Sequence, residues 1–324
     1  MVMHENKYLL ITCCALVLFA ITARHTKIRE VIQTHGYGSV VQTEKRAAVI
    51  DEDVLIKDQP SAVSSTSTVA VKEQKPRPYV SAESYIVGNL DTGQIYISLD
   101  GRKVFPIASV SKLYTALVVQ HLFDPEKKIK ITQSMLDAYG DAGKLVLDEE
   151  ITSEDLLYAL LLESSNDAAE AYAQSFGYQE FMEEMNGFAK EIGLEQTSFR
   201  DASGLSPYNV SNTTDLFTLS RYLYGYERDI LKISKTVEHD LATTSEHNSH
   251  HFVNINPYSA YSSFVGGKTG RTDEAKESMI TLIKQEVGDE IYPIAIILLR
   301  SEFGQREIDT EKLLGLFVDK VEKK

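Results

Sequence analysis

The chain of 324 residues is 43% hydrophobic and 25% charged, which suits one sizeable soluble domain together with additional segments. Its formal net charge of −14, with no basic stripe in the sequence, argues against a nucleic-acid partner. Both cysteines, Cys13 and Cys14, lie in an apolar N-terminal segment. The remainder of the chain therefore has no cysteine for a disulfide or a thiolate metal site, and the sequence suggests no cofactor and no metal.

Residues 8–23 are uncharged and mostly apolar, and they follow Lys7. This stretch is slightly short for a full membrane span but suits an export signal or a membrane anchor. The positive charges of Arg24, Lys27 and Arg29 come after it, and by the positive-inside tendency they favour the opposite orientation. We expect an uncleaved or poorly cleaved export signal.

Residues 24–80 sustain no clear amphipathic pattern. The stretch 63–71 is rich in serine and threonine, and the stretch 72–78 is charged and contains proline. Such composition predicts a flexible tether with little fixed structure. The folded domain is then expected to occupy residues 81–324.

The domain begins with a predicted hairpin, in which strands over 84–90 and 94–99 flank an Asp-Thr-Gly turn. An apolar run from Pro106 to Phe123 follows without alternation of period two, which predicts a helix buried on nearly all sides.

The middle of the chain is predicted to be mainly helical, and strands return towards its end. Thr152 to Asp155 supply capping residues for a helix with an apolar body over 156–162. Further helices are predicted over 167–176, 179–192, 213–224 and 306–321, and strands over 262–270, 277–284 and 292–299. Two strands at the start and three at the end predict an α+β fold (α/β in the broad sense). Its five-stranded antiparallel sheet has a helical insertion between strands 2 and 3.

Ser109 and Lys112 are the first candidate catalytic pair. They are three residues apart and share one face of the predicted helix, near its N-terminus. A serine hydroxyl beside an amine in apolar surroundings is what nucleophilic catalysis without histidine requires. About one Ser-x-x-Lys is expected by chance in a chain of this length, so a surface pair is the alternative for this motif alone.

Two further triplets follow in the chain, Ser164-Ser165-Asn166 and Lys268-Thr269-Gly270. The order Ser-x-x-Lys, Ser-x-Asn, Lys-Thr-Gly is the signature of penicillin-binding enzymes and serine β-lactamases. All three triplets lie on plausible elements, and together they predict an active site at the seam between the sheet and the helical region.

Residues 81–324 resemble the D-alanyl-D-alanine carboxypeptidase family, the low-molecular-mass penicillin-binding proteins. The resemblance extends through PIASVSKLYTA, ITSEDLLYALLLESSNDAA, the GL-x-x-x-N run ending at Asn209, and GGKTGRTDEA. It implies a β-lactamase/transpeptidase-like fold. Arg271 stands where the family more often has an aromatic residue or histidine, and Lys276 where glycine is common. These departures concern substrate detail.

The resemblance implies that Ser109 attacks the penultimate carbonyl carbon of a peptide ending in D-Ala-D-Ala. Lys112 must be neutral to accept its proton, so burial and the nearby positive charge of Lys268 are expected to lower the pKa of Lys112. Ser164 would relay the proton to the leaving amine. Asn166 would hold Lys112 and a substrate carbonyl through its side-chain amide.

The last triplet is expected to bind substrate. Lys268 and Thr269 would favour the terminal carboxylate, and Gly270 suits a strand edge that substrate approaches closely. Neighbouring Gly266 and Gly267 are interpreted in the same way. The oxyanion hole would consist of the backbone N–H groups of Ser109 and of Arg271, one residue beyond Gly270.

Arg306 is a further candidate for binding the terminal carboxylate. In the family, an arginine before the terminal helix faces the end of the Lys-Thr-Gly strand. Its planar guanidinium can bind a carboxylate bidentately. The alternative is a solvated arginine or an ion pair with Glu307 or Asp309.

Other conspicuous side chains are interpreted as structural. His247, His250 and His251 suggest a metal site, but no matching carboxylate or cysteine pattern accompanies them, and a polar loop is favoured. Glu163 and Asp167 flank the second triplet and are expected to be solvated, as carboxylates on helix surfaces usually are.

The most favoured function is a serine D-alanyl-D-alanine carboxypeptidase that acts on peptidoglycan stem peptides and is inhibited covalently by β-lactam antibiotics. A D,D-endopeptidase of the same family is the first alternative. A serine β-lactamase is disfavoured, because the stretch Thr197 to Asn209 lacks the glutamate that class A enzymes use for deacylation. A non-catalytic tethered scaffold is the last alternative. The substrate implies an extracytoplasmic protein, either secreted or associated with the cell membrane through residues 8–23.

Overall fold

The computed structural model describes residues 79–140 and 143–323. The predicted export signal over residues 8–23, and the predicted tether up to residue 78, lie outside the described residues. Within those described ranges, no helix has the length and apolar character needed to cross a membrane. From Val80 onward the chain forms a compact unit.

A five-stranded antiparallel sheet lies at the centre of this unit, as predicted. Its strands, numbered by their order in the chain, follow one another in the order β2-β1-β11-β10-β9. They are β1 Ser84–Asn89, β2 Ile95–Leu99, β9 Phe264–Thr272, β10 Lys276–Val287 and β11 Glu290–Ser301. The two N-terminal strands join the three C-terminal strands through the β1–β11 pair. The edge strand β9 carries the Lys-Thr-Gly triplet.

Helices make up most of the chain between β2 and β9. Their bounds are α1 Ser111–Leu122, α2 Gln133–Leu136, α3 Ser153–Leu161, α4 Asn166–Phe176, α5 Tyr178–Glu191, α6 Thr213–Tyr226 and α7 Arg228–Lys235; α8 Arg306–Val321 follows the sheet. The bounds of α8 are those predicted. Three helices begin with side-chain caps, because Thr152, Ser165 and Asn212 each accept a backbone N–H three residues later.

The sheet is covered on both faces, which explains the nearly continuous apolar runs of its long strands. Phe317 and Leu313 of α8 are fully buried against a cluster that includes Met279 and Ile296. Helix α6 packs against β1 so closely that a Cβ added at Gly88 would lie 2.4 Å from the ring of Phe217. The sheet is thus a rigid support for the residues on β9.

Three short antiparallel strand pairs were not predicted. They are β3 Phe105–Pro106 with β6 Val210–Ser211, β4 Lys128–Lys130 with β5 Glu150–Thr152, and β7 Glu238–Leu241 with β8 His250–Val253. Strands of two to four residues are too short to show a period-two pattern.

The interpretation of the histidine cluster as a polar loop is wrong for two of its three members. His250 and His251 lie in β8, and the buried Nε2 of His250 is 2.9 Å from Glu149 Oε2. His251 is exposed and hydrogen-bonds to Asp240. In the described part of the chain, no group of histidine, cysteine and carboxylate side chains could hold a metal ion.

Candidate active site

Ser109 lies in a turn of 3-10 helix, Ala108–Val110, directly before α1. The sequence placed it on the α-helix itself; a 3-10 turn at a helix N-terminus is the common local variant. Ala108 has a positive φ of 49°, and its carbonyl oxygen would lie 2.0 Å from a Cβ added at Gly204. Position 204 therefore has to be glycine, which packs directly against the backbone beside the candidate nucleophile.

Strand β9 passes the other side of the same turn. A Cβ added at Gly270 would lie 3.1 Å from the backbone nitrogen of Ser109 and 2.8 Å from the carbonyl oxygen of Ile107. The glycine of the last triplet thus lets the strand approach the nucleophile.

Packing within the protein explains the other two glycines of β9, which corrects their assignment to substrate approach. A Cβ at Gly267 would lie 2.1 Å from the carbonyl oxygen of Ile280 on β10. One at Gly266 would lie 3.0 Å from the side chain of Leu231 on α7.

The amine of Lys112 is fully buried and meets three oxygen atoms. Its Nζ lies 3.0 Å from Ser109 Oγ, 2.6 Å from Asn166 Oδ1 and 2.6 Å from the carbonyl oxygen of Ser203. Burial lowers the pKa of Lys112 to about 7, against an opposing effect of the Asp201 carboxylate. A group with this pKa holds and releases a proton near neutral pH.

The three oxygen atoms differ in what they can do for a neutral amine, which has two N–H donors and one lone pair. The Ser203 carbonyl and the Asn166 amide oxygen only accept hydrogen bonds, so they occupy the two donors. The remaining lone pair faces the hydroxyl of Ser109. The arrangement can therefore take the proton of that hydroxyl.

Lys268 is also buried, and its Nζ donates to the Thr269 carbonyl oxygen at 3.1 Å. Burial, followed by the charges of Lys112 and Arg306, holds the pKa of Lys268 well below its usual range. The expected contribution of Lys268 to the lowered pKa of Lys112 is not found: burial lowers the pKa of Lys112, and the repulsion between the two amines lowers the pKa of Lys268. An anion bound next to Lys268 would favour its charged form.

The second triplet lies where α3 ends and α4 begins. Ser164 has a left-handed backbone with φ 62°, and Asn166 is the first residue of α4. Both ends of the Asn166 amide are hydrogen-bonded: its Oδ1 accepts from Lys112 Nζ, and its Nδ2 donates to the carbonyl oxygen of Tyr139 at 2.6 Å. The role of Ser164 as a proton relay remains a prediction.

Sequence reasoning missed the loop that supplies the Ser203 carbonyl. The Asp201 carboxylate accepts the backbone N–H groups of Ser203, at 2.8 Å, and of Gly204 and Ser206. The Asn209 amide donates to the backbone oxygen of Asp201 at 2.9 Å. The signal was present, because an aspartate followed closely by serine and glycine is typical of a side-chain-bonded turn.

The expectation that Glu163 and Asp167 are solvated is wrong. Asp167 is only 5% exposed. Glu163 accepts the N–H of Gly143 at 2.8 Å through Oε2 and that of Val253 at 3.3 Å through Oε1. Glu163 thus connects Val253 of β8 to Gly143, which follows in the chain after the Tyr139 carbonyl that holds Asn166.

Two arginines lie at the end of β9. Arg306 forms an ion pair with Glu307, which was the alternative to carboxylate binding: its Nε lies 2.9 Å from Glu307 Oε1. Its positive charge also contributes to the lowered pKa of Lys268. Arg271 is exposed, and its guanidinium carbon lies 5.0 Å from the centre of the Phe303 ring.

Comparison with known proteins adds to this geometry. The family model described as D-alanyl-D-alanine carboxypeptidase matches residues 69–298, more than half of the chain. A D-alanyl-D-alanine endopeptidase of Escherichia coli is 29% identical over 260 residues, which cover 76% of this chain and 78% of that relative. A D-alanyl-D-alanine carboxypeptidase of Bacillus subtilis is 28% identical over 242 residues, covering 72% of this chain and 61% of that relative.

A solved D-alanyl-D-alanine carboxypeptidase of Mycobacterium tuberculosis has the same fold. Its TM-score is 0.67 at 23% identity, and the superposition covers 76% of this chain and 94% of that chain.

Proposed function

Because this chain belongs to the D-alanyl-D-alanine carboxypeptidase family, we propose that it hydrolyses the terminal D-Ala-D-Ala bond of peptidoglycan stem peptides through an acyl-enzyme on Ser109. The observation that carries the proposal is the buried Lys112 amine 3.0 Å from Ser109 Oγ. A lysine with a pKa of about 7 can act as the general base that a serine nucleophile needs.

Acylation begins when Ser109 Oγ bonds to the carbonyl carbon and its proton passes to Lys112 Nζ. The negative charge that develops on the carbonyl oxygen is stabilised by the backbone N–H groups of Ser109 and Arg271. The carbon–nitrogen bond then breaks, and the D-alanine amine leaves with a proton delivered from Lys112 through Ser164. Water attacks the resulting ester, releases the shortened peptide as a carboxylate and returns the proton to Ser109.

The terminal carboxylate of the substrate is bound by Lys268, Thr269 and Arg306. In the free protein Lys268 has a strongly lowered pKa, so a bound carboxylate restores the charge of its amine. Substrate binding and protonation of Lys268 are therefore coupled. The same contacts recognise the carboxylate of a β-lactam antibiotic, which acylates Ser109 as a covalent inhibitor.

A D,D-endopeptidase is the second candidate, and the similarity to the Escherichia coli endopeptidase favours it. The chemistry is the same up to the leaving group, which is a cross-linked peptide in place of free D-alanine. Action on peptidoglycan places the domain outside the cytoplasm, and residues 8–23 are proposed to hold it at the membrane.

The test is incubation of the full-length protein with a pentapeptide ending in D-Ala-D-Ala and, separately, with a cross-linked peptide dimer. Release of D-alanine from the pentapeptide supports the carboxypeptidase. Cleavage of the dimer alone supports the endopeptidase. If neither peptide is cleaved while penicillin still binds, the proposed peptidase activity is wrong.

A further inference from the structure

Arg271 is the first residue after the Lys-Thr-Gly triplet, and its exposed side chain lies beside Phe303. Its guanidinium lies over Phe303, with 5.0 Å from the guanidinium carbon to the ring centre. A cation above an aromatic ring is attracted by the ring face, and this contact occupies none of the five N–H donors of the guanidinium. The ion pairs of the surrounding described residues, Arg300 with Glu83 and Arg306 with Glu307, do not include Arg271.

The position of Phe303 is itself fixed by the sheet. Phe303 lies in the turn between β11 and α8. Glu277, which is opposite Arg271 in the β9–β10 register, is only 3% exposed. Its Oε2 accepts the N–H of Gly304 at 2.9 Å and that of Arg306 at 3.5 Å. One buried carboxylate thus anchors the turn that supports the Arg271 guanidinium.

The same turn leads into Arg306, whose charge acts on Lys268. Lys268, Arg271 and Arg306 thus place one amine and two guanidinium groups near β9, in a chain with a net charge of −14. A single terminal carboxylate accounts for Lys268 and Arg306 in the proposed function. The guanidinium of Arg271 lies beside the same turn and has hydrogen-bonding capacity for a further anionic group.

We propose that the Arg271 side chain binds a second carboxylate on the leaving residue. The preferred substrates are then peptides in which the residue after the scissile bond has an acidic side chain besides its terminal carboxylate. This inference rests on the proposed function and adds to the role of the Arg271 backbone N–H. The proposal requires that a leaving residue held by Lys268 and Arg306 directs its side chain towards Arg271.

Two synthetic peptides that differ only in one charge test this inference. They end in D-Ala-D-Glu and D-Ala-D-Gln, with free terminal carboxylates. For the wild-type protein we expect kcat/KM to be at least about tenfold higher for the D-Glu peptide, as for one charge-assisted contact. In Arg271→Gln this ratio falls to about one. Phe303→Leu removes the aromatic ring but keeps the charge of Arg271, and it lowers the ratio to an intermediate value.

The matched control is Lys284→Gln, which makes the same charge change at an exposed position on β10. It should keep the wild-type ratio. A wild-type ratio near one, or an unchanged ratio in Arg271→Gln, overturns the inference. If the inference fails in this way but the wild-type protein still cleaves a D-Ala-D-Ala peptide, the proposed function stands. If it cleaves none of the peptides, both are wrong.

Discussion

At the scale of single residues, the environment of Lys112 decides the chemistry. Its amine has no contact with bulk water, and two of its three oxygen partners can only accept hydrogen bonds. Burial removes the charged amine from water, which disfavours the charged form, so the folded protein favours the neutral amine. The same burial that prepares the base for catalysis therefore lowers the stability of the fold whenever Lys112 is protonated.

Lys112→Met should abolish rapid acylation, with a loss of at least about 10²–10⁴-fold in rate. It should also change how stability depends on pH. The pKa of Lys112 falls from 10.5 to about 7 on folding, so the unfolded chain binds more protons between these values. Wild-type stability therefore rises with pH through this window, and the variant lacks that rise.

Between pH 6 and pH 10, the free energy of unfolding of the wild-type protein should rise by about 4 kcal/mol more than that of the Lys112→Met variant. Lys284→Met, at an exposed position, should show no such gain. Equal pH dependence in the wild-type protein and Lys112→Met would mean that the folded protein does not perturb Lys112.

The sequence was informative about the side chains of the site and gave no indication of the backbone carbonyl groups that hold them. The ordered triplets identified Ser109, Lys112 and Asn166, which the structure brings together within hydrogen-bond distance. The carbonyl oxygens of Ser203 and Tyr139 were missed, because any residue type carries a carbonyl and only the fold decides where it points.

At the scale of elements, Glu163, just after the end of α3, connects two other parts of the chain, Gly143 before β5 and strand β8. The carboxylate accepts one N–H from Gly143 and one from Val253 of β8. The Tyr139 carbonyl, which holds Asn166, comes before Gly143 in the chain. We therefore expect Glu163 to act as a positioning residue for Asn166 and, through Asn166, for Lys112.

Glu163→Gln should weaken this connection, because an amide has one accepting oxygen where the carboxylate has two. We expect a loss of about 1–2 kcal/mol in unfolding free energy, which lowers the Tm by roughly 2–8 °C for a domain of this size. Hydrogen exchange of the Gly143 amide should accelerate. Penicillin acylation should slow, which a purely structural role distant from the site would not cause.

Glu286→Gln is the matched control, since Glu286 is exposed on β10. It should leave the Tm, the exchange rate and the acylation rate unchanged. Wild-type exchange at Gly143 in Glu163→Gln would contradict the positioning role.

Long periodic elements were predictable and short ones were not. The buried strands and the amphipathic α8 carry many residues of one pattern, and their bounds were close to those observed. The 3-10 turn at Ser109 arises from contacts with Gly204 and Gly270, which are distant in the chain. Lys276 stands where glycine is common in the family, and its φ of 52° shows why glycine suits the β9–β10 turn.

At the scale of the whole molecule, the family and the site both point to a domain that works outside the cytoplasm. The apolar residues 8–23 are predicted to bring it there, although the positive charges that follow favour the opposite orientation. Protease added to intact cells, once any outer barrier is opened, should degrade the domain. Complete protection, with a cytoplasmic marker protected in parallel, would show that the domain stays inside.

The central claim is that Ser109 is the nucleophile and that Lys112 activates it. Mass spectrometry of the full-length protein after penicillin treatment tests this most directly, because a covalent adduct adds the mass of the drug to one peptide. The adduct should map to Ser109 and be absent from Ser109→Ala. An adduct on Ser111 or Ser164, or one that persists in Ser109→Ala, would contradict the assignment.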